Sequence, residues 1–331
     1  MRITFAGFRH PHILSLYRDA QKAENVEIVG CFEEDADVRA SLARDEGIVC
    51  TYPSYESLLA DARAEAVAVG DYYGVRGSQI TQALRHGKHV LCDKPICTRP
   101  EELDEIERLC SQNHLLVRCM LDLRYLPQVE TARKMLRGGE LGAIHAVSFS
   151  GQHPLCEDTR PSWYFEGDRH GGTINDLAIH GVDLVQFLTG GNLTQVNCVK
   201  TWNAFAKRAP HFHDCAQFMA QMGSIALTGD VSYCAPACGY DMPTYWEFRF
   251  WCEKGMLRFH YTDPRLFLYR DREVILDCPA RAFNMAADFA DEIAGRATML
   301  GAEDCLISTR QTLTLQCAAS SCFSPDGSSR R

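Results

Sequence analysis

Over its first 120 residues the chain alternates short apolar runs with helical patterns. This alternation restricts the fold more than any other feature. The apolar runs are Ile3–Ala6, Val26–Phe32, Ala66–Val69, His89–Cys92 and Leu115–Met120. Each is short and β-rich, as strands buried on both faces are. Helical patterns lie between them at Pro11–Lys22, Asp35–Asp45, Tyr55–Ala62, Val75–His86 and Pro100–Gln112. Pro100 followed by Glu101 and Glu102 reads as the first turn of a helix. Strand–helix order of this kind implies an α/β fold with a doubly wound parallel sheet.

After residue 120 the pattern changes. Leu126–Leu136 and Leu177–Leu188 read as helices stopped by Gly138-Gly139 and Gly190-Gly191. Between Gln195 and Arg270, strand-like runs follow one another directly, among them Ser224–Tyr233, Tyr245–Cys252 and Met256–Tyr261. Turn signals such as Lys254-Gly255 separate them, which suggests an antiparallel sheet. Helical patterns at Arg281–Ala294 and Glu303–Ser320 come last, before a polar tail, Ser324–Arg331. A length of 331 residues suits two domains. The expected division is 1–120 and 121–331, with the last helices able to pack on either domain.

Composition narrows the class of partner. Apolar residues make up 46% and charged residues 23%, which excludes a disordered chain. Lys and Arg total 34 against 43 acidic residues, a net charge of −9, which argues against nucleic acid or an anionic membrane as partner. No uninterrupted apolar window is long enough to span a bilayer. The first residues run straight into a strand with no signal-peptide pattern. The sixteen cysteines are scattered through apolar segments, as at Cys31, Cys92, Cys110, Cys198 and Cys305, and read as small buried hydrophobes. The expected location is the reducing cytoplasm.

Three constellations carry chemistry. The first strand ends in Ala6-Gly7-Phe8-Arg9-His10-Pro11-His12, the place for a dinucleotide-binding turn. Such a turn needs glycines so that backbone can approach a pyrophosphate at a helix N-terminus. Only Gly7 fits, with Arg9 at the second glycine position and His12 at the third. Glu33 ends the second strand, where a carboxylate can accept from ribose hydroxyls. Glu34 and Asp35 follow with no neighbouring arginine to welcome a 2′-phosphate, which favours NAD over NADP. The plain alternative for Glu33–Asp35 is a solvated helix start. Lys94 follows the apolar run His89–Cys92, at the strand end where ligands bind, and can polarise a substrate oxygen; its alternative is a surface charge. Asp176 and His180, four apart, share a helix face in apolar surroundings, which suits proton transfer. A buried ion pair or helix cap is the alternative there.

Together these residues resemble the Gfo/Idh/MocA family, the glucose–fructose oxidoreductase and inositol dehydrogenase group. The resemblance runs from Arg2 to about Ser320. It rests on the turn at Gly7, on Gly87-Lys88-His89-Val90 leading to Lys94-Pro95, and on Trp163-Tyr164, Gly171-Gly172, Asp176, His180 and Asp183. It implies a Rossmann domain followed by an α/β domain with an open antiparallel sheet, often used for oligomer contacts. It places the catalytic lysine on Lys94 and the acid and histidine on Asp176 and His180. It implies cofactor contacts from Gly7, Phe8, Arg9, His10, Glu33, Asp71, Tyr72, Asp93 and Lys94. The chain departs from the family pattern in the degenerate turn, in Asp93 where a Glu is usual, and in the loop Gly70–Arg76, where many members have a Pro and a His.

The implied reaction is hydride transfer between a nicotinamide cofactor and a hydroxyl carbon, with His180 as base and Lys94 stabilising the alkoxide. A pocket between the domains is expected to hold a sugar, polyol or inositol-like substrate, contacted by Arg124, His153, Arg160, Trp163 and Tyr164. Domain-interface packing is the alternative for Trp163 and Tyr164, and a surface ion pair for Arg160. No metal is expected: His211, His213 and Cys215 alternate but lack a fourth ligand, and Cys234 with Cys238 has no matching second pair. A homo-dimer or homo-tetramer is expected, with apolar residues of Ile225–Val231 and Phe248–Trp251 supplying the contact. Two other readings stay open: a redox-neutral NAD-assisted lyase or glycosidase, and a non-catalytic nucleotide or sugar sensor.

Overall fold

A computed structural model describes residues 1–236, 245–280 and 282–321. Cys238 and the tail Ser324–Arg331 lie outside these residues. The chain divides into two compact units. The first comprises Met1–Asp122, Asp168–Gly171 and Ala282–Thr309; the second comprises Leu123–Gly167, Gly172–Arg281 and Arg310 onward.

The first unit holds the parallel sheet that the alternation implies. Its strands are β1 (Arg2–Ala6), β2 (Glu27–Phe32), β3 (Ala66–Val69), β4 (His89–Cys92) and β5 (Val117–Cys119), in the order β2-β1-β3-β4-β5. Every pairing is parallel. The connecting helices are α1 (His12–Lys22), α2 (Ala36–Ser41), α3 (Tyr55–Leu59), α4 (Tyr73–Arg85) and α5 (Pro100–Asn113). Strands β3 and β4 are almost wholly buried, which explains their unbroken apolar sequence. The chain steps from β1 to β2 on one side and to β3 on the other, so the switch point of the sheet lies between β1 and β3. Open α/β sheets bind ligands beyond the strand ends at such points.

The second unit opens with α6 (Pro127–Arg137), β6 (Ile144–Pro154) and the short α7 (Gly167–His170), which crosses into the first unit. Then come α8 (Ile179–Thr189), β7 (Leu193–Trp202), β8 (Cys215–Met222), β9 (Ile225–Ala235), β10 (Trp246–Cys252), β11 (Gly255–His260), β12 (Leu266–Tyr269) and β13 (Glu273–Leu276). The eight strands form one sheet, ordered β13-β12-β11-β10-β6-β9-β8-β7. It is mixed rather than purely antiparallel, because β6 pairs with β9 in parallel. Sequence periodicity reports which face a residue takes and not the direction of the neighbouring strand.

The alternation on this sheet also corrects the expected oligomer face. Leu227, Val231, Phe248 and Phe250 turn inward and are at most 1% exposed, with Phe248 stacked on Phe149 and Phe259, and Phe250 stacked on Phe259. Period two sends only every second residue outward, so the exposed apolar residues are Met219, Trp251 and Ile275. Helix α8 closes the inner face. Gly181 lets it do so, since a Cβ there would meet the Phe149 ring at 2.2 Å. Two further helices, α9 (Met285–Ile293) and α10 (Ala302–Ser321), follow the sheet. Helix α9 packs on the first unit, where buried Arg118 of β5 pairs with Asp288 at 2.8 Å and Glu292 at 3.2 Å. No helix among the described residues is long and apolar enough to cross a membrane.

Candidate functional site

In the first unit the turn after β1 meets the loop after β3. Gly7 has φ +75°, and a Cβ on it would strike Asp71 Cβ at 2.7 Å. Glycine is therefore required by both conformation and space. His10 N–H donates to Gly70 O at 3.1 Å, which ties the two loops together. Helix α1 begins just beyond, with no side-chain cap and no acidic residue in its first turn. Its N-terminal amides suit an anionic group, so the turn fits a dinucleotide's pyrophosphate despite having one glycine.

The acidic run after β2 differs from its sequence reading. Glu33 is buried, and its oxygens accept from Phe8 N–H at 2.5 Å and Asp35 N–H at 2.8 Å. Burial raises its pKa above the usual carboxylate range, against the pull of those amides. The solvent-facing carboxylates are Glu34, with its side chain 77% exposed, and Asp35, which caps α2. Nor is the run without arginines. Arg9 reaches Glu34 at 3.1 Å, Asp71 at 3.4 Å and Glu33 at 3.5 Å, and Arg39 donates to the carbonyls of Glu33 and Glu34. Parallel pairing of β1 with β2 brings Arg9 beside Glu33, a juxtaposition invisible in sequence spacing. Burial opposes the charge on Arg9, but Asp71, Glu33 and Glu34 more than offset it and hold the guanidinium charged. Arg9 and Arg169 each lie about 5 Å from the Tyr72 ring, at 5.3 and 5.0 Å.

Lys94 follows β4 and is buried. Its carbonyl accepts from Arg76 Nη1 at 2.6 Å, and its ammonium lies 5.9 Å from the centre of the Tyr73 ring. His10, expected to face the cofactor, turns inward instead: its Nδ1 contacts Asp93 and its Nε2 faces Tyr73 Oη at 3.0 Å. Asp93 is fully buried, bonded by Arg76 Nη2 at 3.0 Å and approached by His12 Nδ1 at 3.2 Å. Burial alone would raise its pKa, yet His10, Arg76 and His12 hold it well below the usual range. Burial pushes His10 down to about 4 despite Asp93.

The second unit gathers most of the remaining candidates. Asp176 lies in a π-helical turn, Ile174–Ala178, that leads into α8, where a plain α-helix was expected. Tyr233 of β9 donates its hydroxyl to Asp176 Oδ2. Burial, then the Asp176 charge, raises the Tyr233 pKa well above its usual value, so it remains a donor. Tyr164 stacks on Trp163 with ring centres 4.3 Å apart, and the Arg160 guanidinium lies over Tyr164 at 4.4 Å and Tyr233 at 5.1 Å. Arg160 also donates to the carbonyls of Leu155 and Pro154. His153 Nε2 meets Tyr245 Oη at 3.0 Å, and the His180 ring lies 5.6 Å from that of Trp246. These residues form one aromatic and hydrogen-bonding cluster at the end of the inner sheet face. Arg124 is committed elsewhere, in a buried two-pronged pair with Asp183 at 2.6 and 2.8 Å. Sequence reasoning missed Tyr233, Tyr245 and Trp246, which reach this cluster only through strand pairing and loop packing, and it missed Tyr73, which meets His10 and Lys94 within the first unit. His211 and His213 precede β8 in a loop, with His213 Nδ1 on Thr201 Oγ1 at 2.8 Å. Asp214, beside Cys215 and Cys234, already accepts three backbone N–H groups.

Residues 3–120 match the model of an oxidoreductase family with an NAD-binding Rossmann fold, and residues 129–258 match the GFO/IDH/MocA C-terminal domain. The chain belongs to the GFO/IDH/MocA oxidoreductase family. It is similar to D-xylose 1-dehydrogenase (NADP(+)) 2 of Haloferax volcanii, with 30% identity over 158 residues, 46% of this chain and 47% of the relative. It is similar to levoglucosan dehydrogenase of Pseudarthrobacter phenanthrenivorans, with 26% identity over 176 residues, 51% of this chain and 44% of the relative. The chain spans about half the length of the curated relatives it matches. Its fold is also that of an oxidoreductase from Agrobacterium radiobacter solved in complex with NAD+, L-tartaric acid and magnesium. That likeness has a TM-score of 0.80 at 16% identity and covers 98% of this chain and 97% of that one.

Proposed function

We propose that this GFO/IDH/MocA member is an NAD-dependent dehydrogenase acting on a hydroxyl carbon of a sugar, polyol or inositol-like substrate. The observation that carries the reading is a buried lysine, Lys94, at the carboxyl end of β4 in an NAD-binding Rossmann fold. Sugar dehydrogenases among its relatives support the substrate class. Gly7, Phe8, Arg9, Asp71, Tyr72 and the Glu33–Glu34 pair would hold the nucleotide. When bound, it supplies the hydride acceptor. Lys94 stabilises the developing alkoxide, and His180 takes the hydroxyl proton. Asp176, held by Tyr233, orients the substrate or His180. Arg160, Trp163, Tyr164 and His153 present an aromatic, hydrogen-bonding surface suited to a sugar ring.

The carboxylates around Arg9 favour NAD, because a 2′-phosphate there would meet like charge and find the guanidinium already paired. Purified protein given NAD or NADP and a panel of sugars, polyols and inositols should accumulate reduced nicotinamide. Calorimetry should show tighter binding of NAD. Sugar conversion without net reduced nucleotide, or silence across the panel, would overturn the dehydrogenase. Tighter NADP would overturn the role given to the acidic cluster.

We also read the outer sheet face as the contact between copies of the chain. Met219 is 57% exposed and Trp251 50% exposed on it. A hollow of about 480 Å³ opens on this face, lined in part by Cys198, Met219, Asp230 and Arg249. It lies on the opposite side of the sheet from the Tyr233 cluster. Light scattering at micromolar concentration should give a dimer or tetramer mass, and a monomer mass would refute this.

A further inference from the structure

We propose that Tyr73 is the positioning residue for Lys94, with its hydroxyl held by His10 and Asp93 so that its ring carries the ammonium. This deepens the proposed function and rests on it. Asp93 is fully buried between Arg76, His10 and His12. An ionised carboxylate can only accept hydrogen bonds, so the facing His10 Nδ1 must be the protonated nitrogen. His10 Nε2 is then an acceptor, and the Tyr73 hydroxyl, 3.0 Å away, donates to it. That fixes the Tyr73 ring, which is itself fully buried.

The fixed ring is bordered by two cations, the Arg76 guanidinium at 4.7 Å and the Lys94 ammonium at 5.9 Å from its centre. Ring quadrupoles attract cations more strongly where water is excluded. Arg76 also donates to the carbonyls of Lys94 and Pro95, so one residue holds the lysine's backbone while Tyr73 guides its side chain. The charged and titratable groups around this arrangement are Arg76 from α4, His10 and His12 from the β1–α1 segment, Asp93, Asp122 and, against the Tyr73 ring, His170. A flexible four-carbon side chain needs such a guide, because misplacement of a reacting group by about 1 Å can cost roughly 10²-fold in rate.

The test compares Tyr73→Leu, which removes the ring, with Tyr73→Phe, which keeps the ring and loses the hydroxyl. In nucleotide-free protein with isotope-labelled lysine, NMR should show the Lys94 ε-methylene protons shifted upfield by the ring. The shift should vanish in Tyr73→Leu and be smaller than parental in Tyr73→Phe, whose ring has lost its tie to His10. With nucleotide and substrate, kcat should fall roughly 10- to 100-fold in Tyr73→Leu. Tyr73→Phe should fall between Tyr73→Leu and the parent, with the nucleotide Kd unchanged throughout. Should Tyr73→Leu not fold, His10→Asn cannot bridge Asp93 and Tyr73, and it should move the same resonance and lower kcat. A Lys94 resonance that keeps its parental position in folded Tyr73→Leu, or parental kcat in that variant, overturns the proposal. If the parent protein oxidises no carbinol, the dehydrogenase reading fails, and the resonance alone still decides whether the ring holds the lysine.

Discussion

Lys94→Ala should lower turnover by roughly 10²–10³-fold, the range seen when one donor to a developing oxyanion is removed. The affinity for NAD should stay nearly unchanged, because in the proposed reaction the ammonium acts on the substrate oxygen, where its charge matters most in the transition state. The lysine is only 3% exposed, so its removal leaves a small buried gap rather than a surface change. A melting curve and a nucleotide titration therefore belong beside the turnover measurement. If folded Lys94→Ala turned over at near the parental rate, hydride transfer as drawn here would be wrong.

The second large effect belongs to His180→Ala, expected to cost roughly 10²–10⁴-fold in turnover if the imidazole is the base. Asp176→Asn keeps an acceptor for the Tyr233 hydroxyl and loses the charge. If Asp176 acts through His180, the double variant should lose less than the product of the two single losses. A purely supporting role predicts something different: lower melting temperatures with activity per folded molecule preserved. That outcome, or strict multiplicativity of the two losses, would separate Asp176 from the proton transfer.

Much of the first unit was legible in the sequence because its strands are buried on both faces and read as unbroken apolar runs. Lys94, the proposed catalytic lysine, stands out because it follows such a run. Arg9 and Arg39 could not be placed against the acidic residues, since their proximity is created by the pairing of β1 with β2 and by the turn into α2. The same holds for Tyr233. Its alternating strand predicts that it faces inward, but only the packing of the π-helical turn on β9 sets it against Asp176. His10 shows a third kind of miss: a residue in the expected nucleotide turn whose ring is drawn inward by a buried carboxylate distant in sequence. Arg124 shows a fourth, a cation that looked available and is spent on Asp183.

The parallel pairing of β6 with β9 bears on which changes of chain length the second unit can absorb. Ser232 reaches back to Gln152, 80 residues earlier, so the pairing closes a long loop. Inside that loop lie Arg160, Trp163 and Tyr164, the π-helical turn with Asp176, and α8 with His180. Closure entropy grows only with the logarithm of loop length, about 0.6 kcal/mol for each doubling. Only the exposed connections within that stretch can lengthen or shorten at so small a cost, because α8 is buried from Ile179 to Leu188. The frame set by β6 and β9 thus tolerates changes of length in the loops it closes, while the helix it encloses is fixed by its packing.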